Sequence, residues 1–308
     1  MTLITGKNVH RAVKFMNSKN GGRLVPYKTG CRWIHKFCSS EFALEHHFRN
    51  RIQLLKEFVA NMPGSPSMDK IFPDVLITNF LRPWKSMALA RMSVSSLKKV
   101  LHTEGLEIFE QAVQKGKGVI LVNSHYGFVE SALSVFPNLG YKNFYTIIRG
   151  KGSTSMKISG LGRKRQPNII VFKDHSNAEL FRIMFKAREV LNQGGIFHIL
   201  GDGYHGKSSI TVNFLGRVRG FRGSFAELGL STEASILPIF ITTDNQGNLF
   251  YHIENELDKG DDSLPHPERV EYIVKQYTSR LEHWWKKEPQ HIHWGFMEKY
   301  LRSVREEG

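Results

Sequence analysis

The stretch Gly118-Val119-Ile120-Leu121-Val122-Asn123-Ser124-His125-Tyr126-Gly127-Phe128-Val129-Glu130 indicates both the fold and a candidate site. Its apolar, largely β-branched run predicts a buried strand that stops at Asn123-Ser124. A histidine follows at once, with a carboxylate five positions later. Residues five apart on one helix point about 140° away from each other, because each residue turns about 100°. His125 and Glu130 are therefore expected to meet only if His125 lies in a turn before the helix.

Gly127 gives this turn the freedom to bend. The expected arrangement is a histidine at the end of a strand, held by a glutamate from the next helix. This is the pairing of a general base with the group that orients it, as used in acyl transfer. The alternative is an ordinary structural histidine, since the H-x4-E spacing also arises by chance and the motif lacks a nucleophile.

Composition limits the class of protein and its partners. The chain has 308 residues, 41% of them hydrophobic and 11% aromatic, which is enough for a substantial core. Lys and Arg exceed Asp and Glu by 43 to 28, a net charge of +15. This excess favours a polyanionic partner, such as nucleic acid, anionic lipid headgroups or an acidic carrier protein. Alternatively, the charge serves only solubility.

Cysteine content and hydropathy bear on the compartment. The chain has only 2 cysteines, which favours a reducing compartment over a disulfide-linked secreted fold. No uncharged apolar run reaches the roughly 18 residues of a membrane span, so the sequence predicts no transmembrane helix and only peripheral membrane contact.

The first third of the chain has mainly helical patterns. Apolar residues recur at helical spacing from Glu41 to Met62, and further helices are expected over residues 71–90 and 95–114. Nearer the N-terminus, basic and apolar residues alternate in a plausible membrane-facing patch. It comprises Arg23, Lys28, Arg32 and Lys36 around Trp33, Ile34 and Phe37. The alternative is an amphipathic helix packed on the core.

Strand patterns alternate with helical ones from residue 115 onward. The strands are expected at 118–122, 144–148, 169–172, 196–200, 210–214, 235–241 and 249–253, and the helices at 128–136, 176–193, 222–233 and 267–287. The alternation predicts an α/β fold with a mixed, largely parallel central sheet flanked by helices. We expect a helical N-terminal region, 1–114, packed on an α/β core, 115–308, in one continuous domain. The short spacing between Ile196 and Phe214 predicts an antiparallel pair there.

A phosphate-binding pattern is present but lacks its structural context. Gly201-Asp202-Gly203-Tyr204-His205-Gly206-Lys207-Ser208 matches the P-loop consensus after a plausible strand. That mechanism needs a helix immediately afterwards, because its N-terminal amides hold the phosphates. The β-branched residues at 209–214 predict a strand instead, which makes a nucleotide-binding protein the less favoured alternative.

Metal and nucleic-acid sites are not expected. The histidine pairs supply no set of three or four ligands at recognised spacings. The basic stretches lack interleaved aromatic residues, so no nucleic-acid partner is expected. A non-catalytic basic module that binds lipid or RNA stays open as a third alternative.

Several motifs follow one another along the chain. His125 to Glu130 is an H-x4-[D/E] element after an apolar strand, and Arg149 closes the next strand. Asp202 follows a strand, Lys207-Ser208-Ser209 is a basic-Ser-Ser element, and Phe214-Leu215-Gly216-Arg217 is a Phe-x-Gly-Arg strand end. In the order of these motifs, the chain resembles the lysophospholipid acyltransferase-like superfamily, and most closely its lipid A biosynthesis (late) acyltransferase branch.

Two departures from the family pattern stand out. Phe128-Val129 occupies the place of the usual Asn-Trp before the acid. After Pro289 and Trp294, Gly295-Phe296-Met297-Glu298-Lys299 replaces an Arg-rich tail.

The resemblance implies an acyltransferase in which His125 is the general base and Glu130 orients it. Arg149 would hold a phosphate or polarise the carbonyl, and Asp202 would orient the acceptor or Arg149. Lys207 and Arg217 are further candidate substrate-binding residues. The acyl chain is expected in a groove lined by Phe128, Phe197 and the Phe221–Leu230 helix.

The co-substrate implied is an acyl thioester, either acyl-CoA or an acyl carrier protein, with no cofactor and no metal. The acceptor would be a lipid or glycolipid hydroxyl or amine. The location implied is cytoplasmic, at an anionic inner membrane surface.

Overall fold

The computed structural model describes residues 6–18, 20–62, 68–149, 167–172, 176–202 and 209–302. Its helices are α1 Gly6–Met16, α2 Gly21–Leu24, α3 Tyr27–Cys38, α4 Arg49–Asn61, α5 Met68–Asn79, α6 Arg82–Leu89, α7 Val94–Lys98, α8 Leu106–Gln114, α9 Ala132–Asn138, α10 Asn177–Asn192, α11 Ser224–Thr232, α12 His266–Lys287 and α13 Trp294–Leu301. Its strands are β1 Leu101–Glu104, β2 Val119–Asn123, β3 Phe144–Arg149, β4 Asn168–Phe172, β5 Ile196–Leu200, β6 Ser209–Phe214, β7 Arg217–Arg222, β8 Ser235–Thr243 and β9 Leu249–Ile253.

Seven strands form one sheet, in the order β1-β9-β8-β2-β5-β3-β4. Every neighbouring pair in it is parallel except β8 with β9. The predicted mixed, largely parallel sheet flanked by helices is confirmed. β2 lies in the middle, hydrogen-bonded to β5 on one side and β8 on the other, and all five of its residues are buried.

The two faces of the sheet are covered by different sets of helices, with α5 contributing to both. Alternate residues of a strand point to opposite faces, and Ile120 and Val122 join a cluster with α10, α11 and α12. Val119 and Leu121 join a second cluster, which contains Ile34 and Trp84 from the N-terminal helices. The N-terminal helices thus pack directly on the sheet that carries the candidate site.

The structure differs from the sequence-based expectations in three elements. The helix expected over residues 95–114 is interrupted by β1, which pairs with β9 in the main sheet. The antiparallel partner expected for β5 is also wrong, since β6 pairs with β7 in a separate two-stranded sheet. The helix expected from Glu41 begins as a π-helical turn, Ala43–His47, before α4.

The predicted membrane-facing patch is wrong for two of its three apolar residues. Ile34 and Phe37 are buried in the core, and Phe37 stacks against Phe80. Only Trp33 of the three apolar residues is substantially exposed, at 38%. The four basic residues of the patch are exposed. Helix α3 is therefore an amphipathic helix packed on the core, with a basic outer face.

No helix in the described ranges combines the length and hydropathy that a membrane span requires.

Candidate active site

Two adjacent parallel strands place His125 and Asp202 at the same edge of the sheet. The last residues of β2 and β5, Asn123 and Leu200, are register partners. His125 and Asp202 each lie two positions beyond these partners. The carboxyl ends of neighbouring parallel strands are where sites of α/β folds commonly form.

Asp202 holds the backbone and the side chain of His125 together. One carboxylate oxygen accepts a hydrogen bond from the His125 backbone N–H, and the other lies 3.0 Å from Nδ1 of the imidazole. The Asp202 side chain is 1% exposed and that of His125 is 37% exposed. Because an ionised carboxylate only accepts hydrogen bonds, Nδ1 carries the proton and Nε2 presents its lone pair.

Gly127 shapes the turn that carries His125. Its φ is +60°, and a Cβ atom there would lie 1.6 Å from the carbonyl oxygen of Ile241. The backbone N–H of Gly127 donates to the carbonyl of His291 at 2.6 Å, and that of Phe128 donates to Ile241 at 2.9 Å. Only glycine fits this close approach, as the sequence predicted for the bend.

Glu130 pairs with a different residue from the one expected. It lies in a 3₁₀ turn, Val129–Ser131, and its carboxylate meets Nη2 of Arg82 at 2.5 Å. Within the described ranges no hydrogen bond joins Glu130 to His125, whose Nδ1 is already bonded to Asp202. The predicted contact between Glu130 and the imidazole is therefore replaced by an Asp202 contact.

The arginine of the Arg82–Glu130 pair is largely enclosed, whereas its carboxylate partner is partly exposed. The Arg82 side chain is 8% exposed, and its Nε and Nη1 atoms have no hydrogen-bond partner among the described residues. Burial favours the neutral form of Glu130, but the charge and hydrogen bond of Arg82 outweigh it and lower the pKa of this carboxyl. Glu130 therefore stays ionised beside the guanidinium.

The C-terminal segment completes the wall of the site. His293 donates its backbone N–H to the carbonyl of His125 at 3.2 Å, and Tyr126 forms a β-bridge with Ile292. Helix α13 starts at the next residue and brings Phe296 onto the His125 imidazole. The two ring centroids are 4.3 Å apart and the planes differ by 16°.

His293 adds a neutral imidazole next to the candidate base. Its Nδ1 accepts the N–H of Gly295 at 3.3 Å, which caps the start of α13. Burial, followed by the charge of Arg82, lowers the pKa of His293 to about 3. At neutral pH the His293 side chain is therefore uncharged.

The other predicted substrate-binding residues are not brought to His125 by any described contact. Arg149 ends β3, but its side chain lies outside the described part of the chain, as does Lys207 altogether. Arg217 donates to the carbonyls of Tyr300 and Leu301 and to Oδ1 of Asn61. These contacts join β7 to the C-terminal helix and favour a structural role for Arg217.

The aromatic residues expected to line an acyl groove are core residues. Phe128 is 1% exposed and Phe197 fully buried, in the clusters on opposite faces of the sheet. A cleft of about 690 Å³ opens between β6 and α12, but its lining includes Lys275, Glu282 and Lys286 and suits no acyl chain.

The P-loop alternative lacks the helix that its mechanism needs. Residues 203–208 lie outside the described part of the chain, and the strand β6 begins directly after them at Ser209. Among the residues that the structure describes, no three His, Cys, Asp or Glu side chains are grouped as metal ligands.

Sequence reasoning missed three contacts of the site. Asp202 was expected at the acceptor or Arg149, although its offset beyond β5 equals that of His125 beyond β2. The contact between Asp202 and His125 can be predicted only once β5 is known to pair with β2. Arg82 and Phe296 are distant in sequence from the motif and gave no signal of their own beyond the departure from the family's Arg-rich tail.

Comparison with protein families gives a match over most of the chain. The sequence model of the family described as bacterial lipid A biosynthesis acyltransferase matches residues 75–301. The match includes β2, β5, the Arg82–Glu130 pair and the start of α13. No curated protein matches the chain.

Proposed function

The chain belongs to the bacterial lipid A biosynthesis acyltransferase family and is an acyltransferase enzyme, and we propose that His125 is its general base. The reaction proposed moves a fatty acyl group from a thioester to a hydroxyl or amine of a lipid or glycolipid acceptor. The observation that carries the assignment is the His125–Asp202 contact, which fixes Nδ1 and leaves Nε2 at the strand edge with no hydrogen-bond partner among the described residues.

The chemistry needs no enzyme nucleophile. Nε2 of His125 removes the acceptor proton as the acceptor oxygen or nitrogen attacks the thioester carbonyl. The tetrahedral intermediate then collapses, the C–S bond breaks, and the imidazolium returns the proton to the departing sulfur. Asp202 stabilises the imidazolium between these steps, because its buried carboxylate is 3.0 Å from Nδ1.

In this proposal Glu130 acts on His125 indirectly, through Arg82. It neutralises the enclosed guanidinium of Arg82, which packs at the start of α6 beneath the turn that carries the motif. A buried arginine without its carboxylate would be costly, so the pair keeps the turn from 125 to 130 in place. In this way Glu130, five positions after His125, holds the backbone turn that carries the base by pairing with Arg82.

The acyl donor is proposed to be acyl-CoA or an acyl carrier protein. Both carry negative charge close to the thioester, and the chain has a net charge of +15. Complementary charge speeds the encounter of such partners and orients them. No cofactor takes part in the proposed transfer.

The enzyme is proposed to meet its acceptor at an anionic membrane surface, on the inner face. Eight Lys and Arg residues precede the first acidic residue of the chain, Glu41. We name one exposed group of them, with its apolar neighbours, the N-terminal basic surface: Arg11, Lys14, Phe15, Arg23, Leu24, Lys28, Arg32, Trp33 and Lys36. None of its basic side chains pairs with a carboxylate within the described ranges, which suits anionic headgroups.

A product assay tests the proposal. The purified full chain is incubated with a series of acyl-CoA and acyl carrier protein thioesters and a bacterial lipid extract, and products are identified by mass spectrometry. The expected result is a lipid whose mass rises by one acyl group in step with thiol release. Thioester hydrolysis without an acylated lipid would contradict the proposed transfer.

A further inference from the structure

Two contacts hold the imidazole of His125, one at the edge of the ring and one on its face. The edge contact is the Asp202 bond to Nδ1, at 3.0 Å. A single hydrogen bond fixes one atom of the ring but lets the ring plane pivot about it. The face contact is the Phe296 ring, nearly parallel to the imidazole with centroids 4.3 Å apart. Together the two contacts define the plane and therefore the direction of Nε2.

Phe296 is itself fixed in place. It is 6% exposed, at the first turn of α13, and it packs in the cluster on the α12 face of the sheet. Nζ of Lys299, one turn later, lies 5.0 Å from the centroid of the same ring. Such a cation over an aromatic face holds the ring by its quadrupole.

The backbone sets the register between the two rings. The bonds from His293 to the carbonyl of His125 and from Gly127 to the carbonyl of His291 tie the C-terminal segment to the turn. Helix α13 begins at Trp294, immediately after these bonds. The helix cannot shift along the turn without breaking them, so Phe296 is delivered to a fixed position over the imidazole.

We propose that Phe296 is a positioning residue for His125, which it holds by stacking so that Nε2 points at the acceptor. This inference rests on the proposed function, with His125 as the base. The residues that replace the family's Arg-rich tail thereby contribute to the site.

The test compares Phe296→Leu with Phe296→Tyr and with Met297→Leu. The leucine removes the ring, the tyrosine keeps it, and Met297 is a buried neighbour on the same helix. Phe296→Leu is expected to lower kcat about fivefold with KM unchanged, since a stack of this kind contributes only modestly. Phe296→Tyr, which keeps an aromatic ring, and the control Met297→Leu should both have the wild-type kcat.

Proton NMR of the imidazole provides a measurement that does not need turnover. A ring stacked on His125 shifts the signals of its carbon-bound protons through the ring current, and Phe296→Leu should abolish that shift. Unchanged signals, or wild-type kcat in a folded Phe296→Leu protein, would overturn the proposal. A wild-type enzyme that acylates no lipid would instead overturn the proposed function, while the NMR signals would still decide whether Phe296 orients the imidazole.

Discussion

Two carboxylates lie close to the candidate base, and their surroundings give them different roles. Asp202 is enclosed and accepts both the backbone and the ring N–H of His125. The side chain of Glu130 is 37% exposed, and its carboxylate pairs with Arg82. Among the residues that the structure describes, only Asp202 contacts Nδ1, so it is the carboxylate that sets the tautomer of the imidazole.

Asp202→Asn is expected to lower acyl transfer by about 10²-fold or more. The amide cannot stabilise the imidazolium, and its NH₂ group can favour the wrong tautomer. The measurement is the initial rate of transfer at saturating thioester, with circular dichroism to confirm folding. If Asp202→Asn retained more than half of the wild-type rate, Asp202 would not be the orienting group.

Glu130→Gln should act mainly on stability. It leaves the guanidinium of Arg82 largely buried without its counter-charge, and we expect a loss of about 2 kcal/mol in the free energy of unfolding, reduced by the partial exposure of Glu130. Urea unfolding at pH 7 measures this change. Replacing both residues, as Arg82→Met with Glu130→Gln, should recover part of the loss. Equal stability of Glu130→Gln and the wild type would contradict the pairing.

The sequence predicted the bend at Gly127 but not the contacts that the residues on either side of it make. His125, Glu130 and the Gly127 bend could be read from thirteen consecutive residues. Which carboxylate reaches Nδ1 depends on β5 lying beside β2, and pairing between strands some 75 positions apart leaves no local pattern. The role of Phe296 depends on the path of the last helix, which periodicity alone does not give.

At the scale of elements, buried strands were predictable and exposed ones were not. The residues of β2 and β8 are mainly apolar and almost all buried, so the hydrophobic run marks most of each strand. By contrast β1 is mostly exposed, and β7 carries three arginines. These two lack the apolar alternation of a half-buried strand, and the partner of β1 in the sheet, β9, lies far along the chain.

Strand β5 carries a buried histidine that should govern acid stability. Burial lowers the pKa of His198 to about 4, from 6.5 when exposed. Between these values the unfolded chain binds a proton that the folded protein does not, so the free energy of unfolding falls as the pH drops from 6.5 to 4. His198→Leu should reduce this acid loss by up to about 3 kcal/mol.

Urea unfolding at pH 7 and pH 4.5 measures the effect of this substitution. His283→Leu, at an exposed position on α12, is the matched control and should keep the wild-type acid loss. An acid loss in His198→Leu as large as that of the wild type would place the responsible group elsewhere.

At the scale of the whole molecule, the distribution of charge favours one membrane-facing side. Helices α1 to α3 carry the N-terminal basic surface and cover one face of the sheet. Helix α10 covers the opposite face and exposes Phe181 and Phe185, at 76% and 74%. Two basic residues beside that pair are matched by acids, Arg182 with Glu179 and Lys186 with Glu189. Charge therefore favours the N-terminal face for anionic lipid.

Replacement of Lys28, Arg32 and Lys36 by glutamine should weaken binding to anionic vesicles by about 10²-fold, at about 1 kcal/mol for each charge. Sedimentation with vesicles of anionic and of neutral lipid, at low and high salt, measures this. Phe181→Ser with Phe185→Ser is the comparison variant and should bind as the wild type does. Loss of binding in that variant alone would move the membrane contact to α10.

The central claim, that His125 is the base of an acyltransferase, is tested most directly by the transfer rate of His125→Ala. The substitution removes Nε2 at a half-exposed position and leaves the Gly127 turn and the Arg82–Glu130 pair intact. With the wild type's thioester and lipid acceptor, we expect a folded protein whose rate is lower by about 10²-fold or more. A folded His125→Ala protein that transfers acyl groups at nearly the wild-type rate would contradict the mechanism.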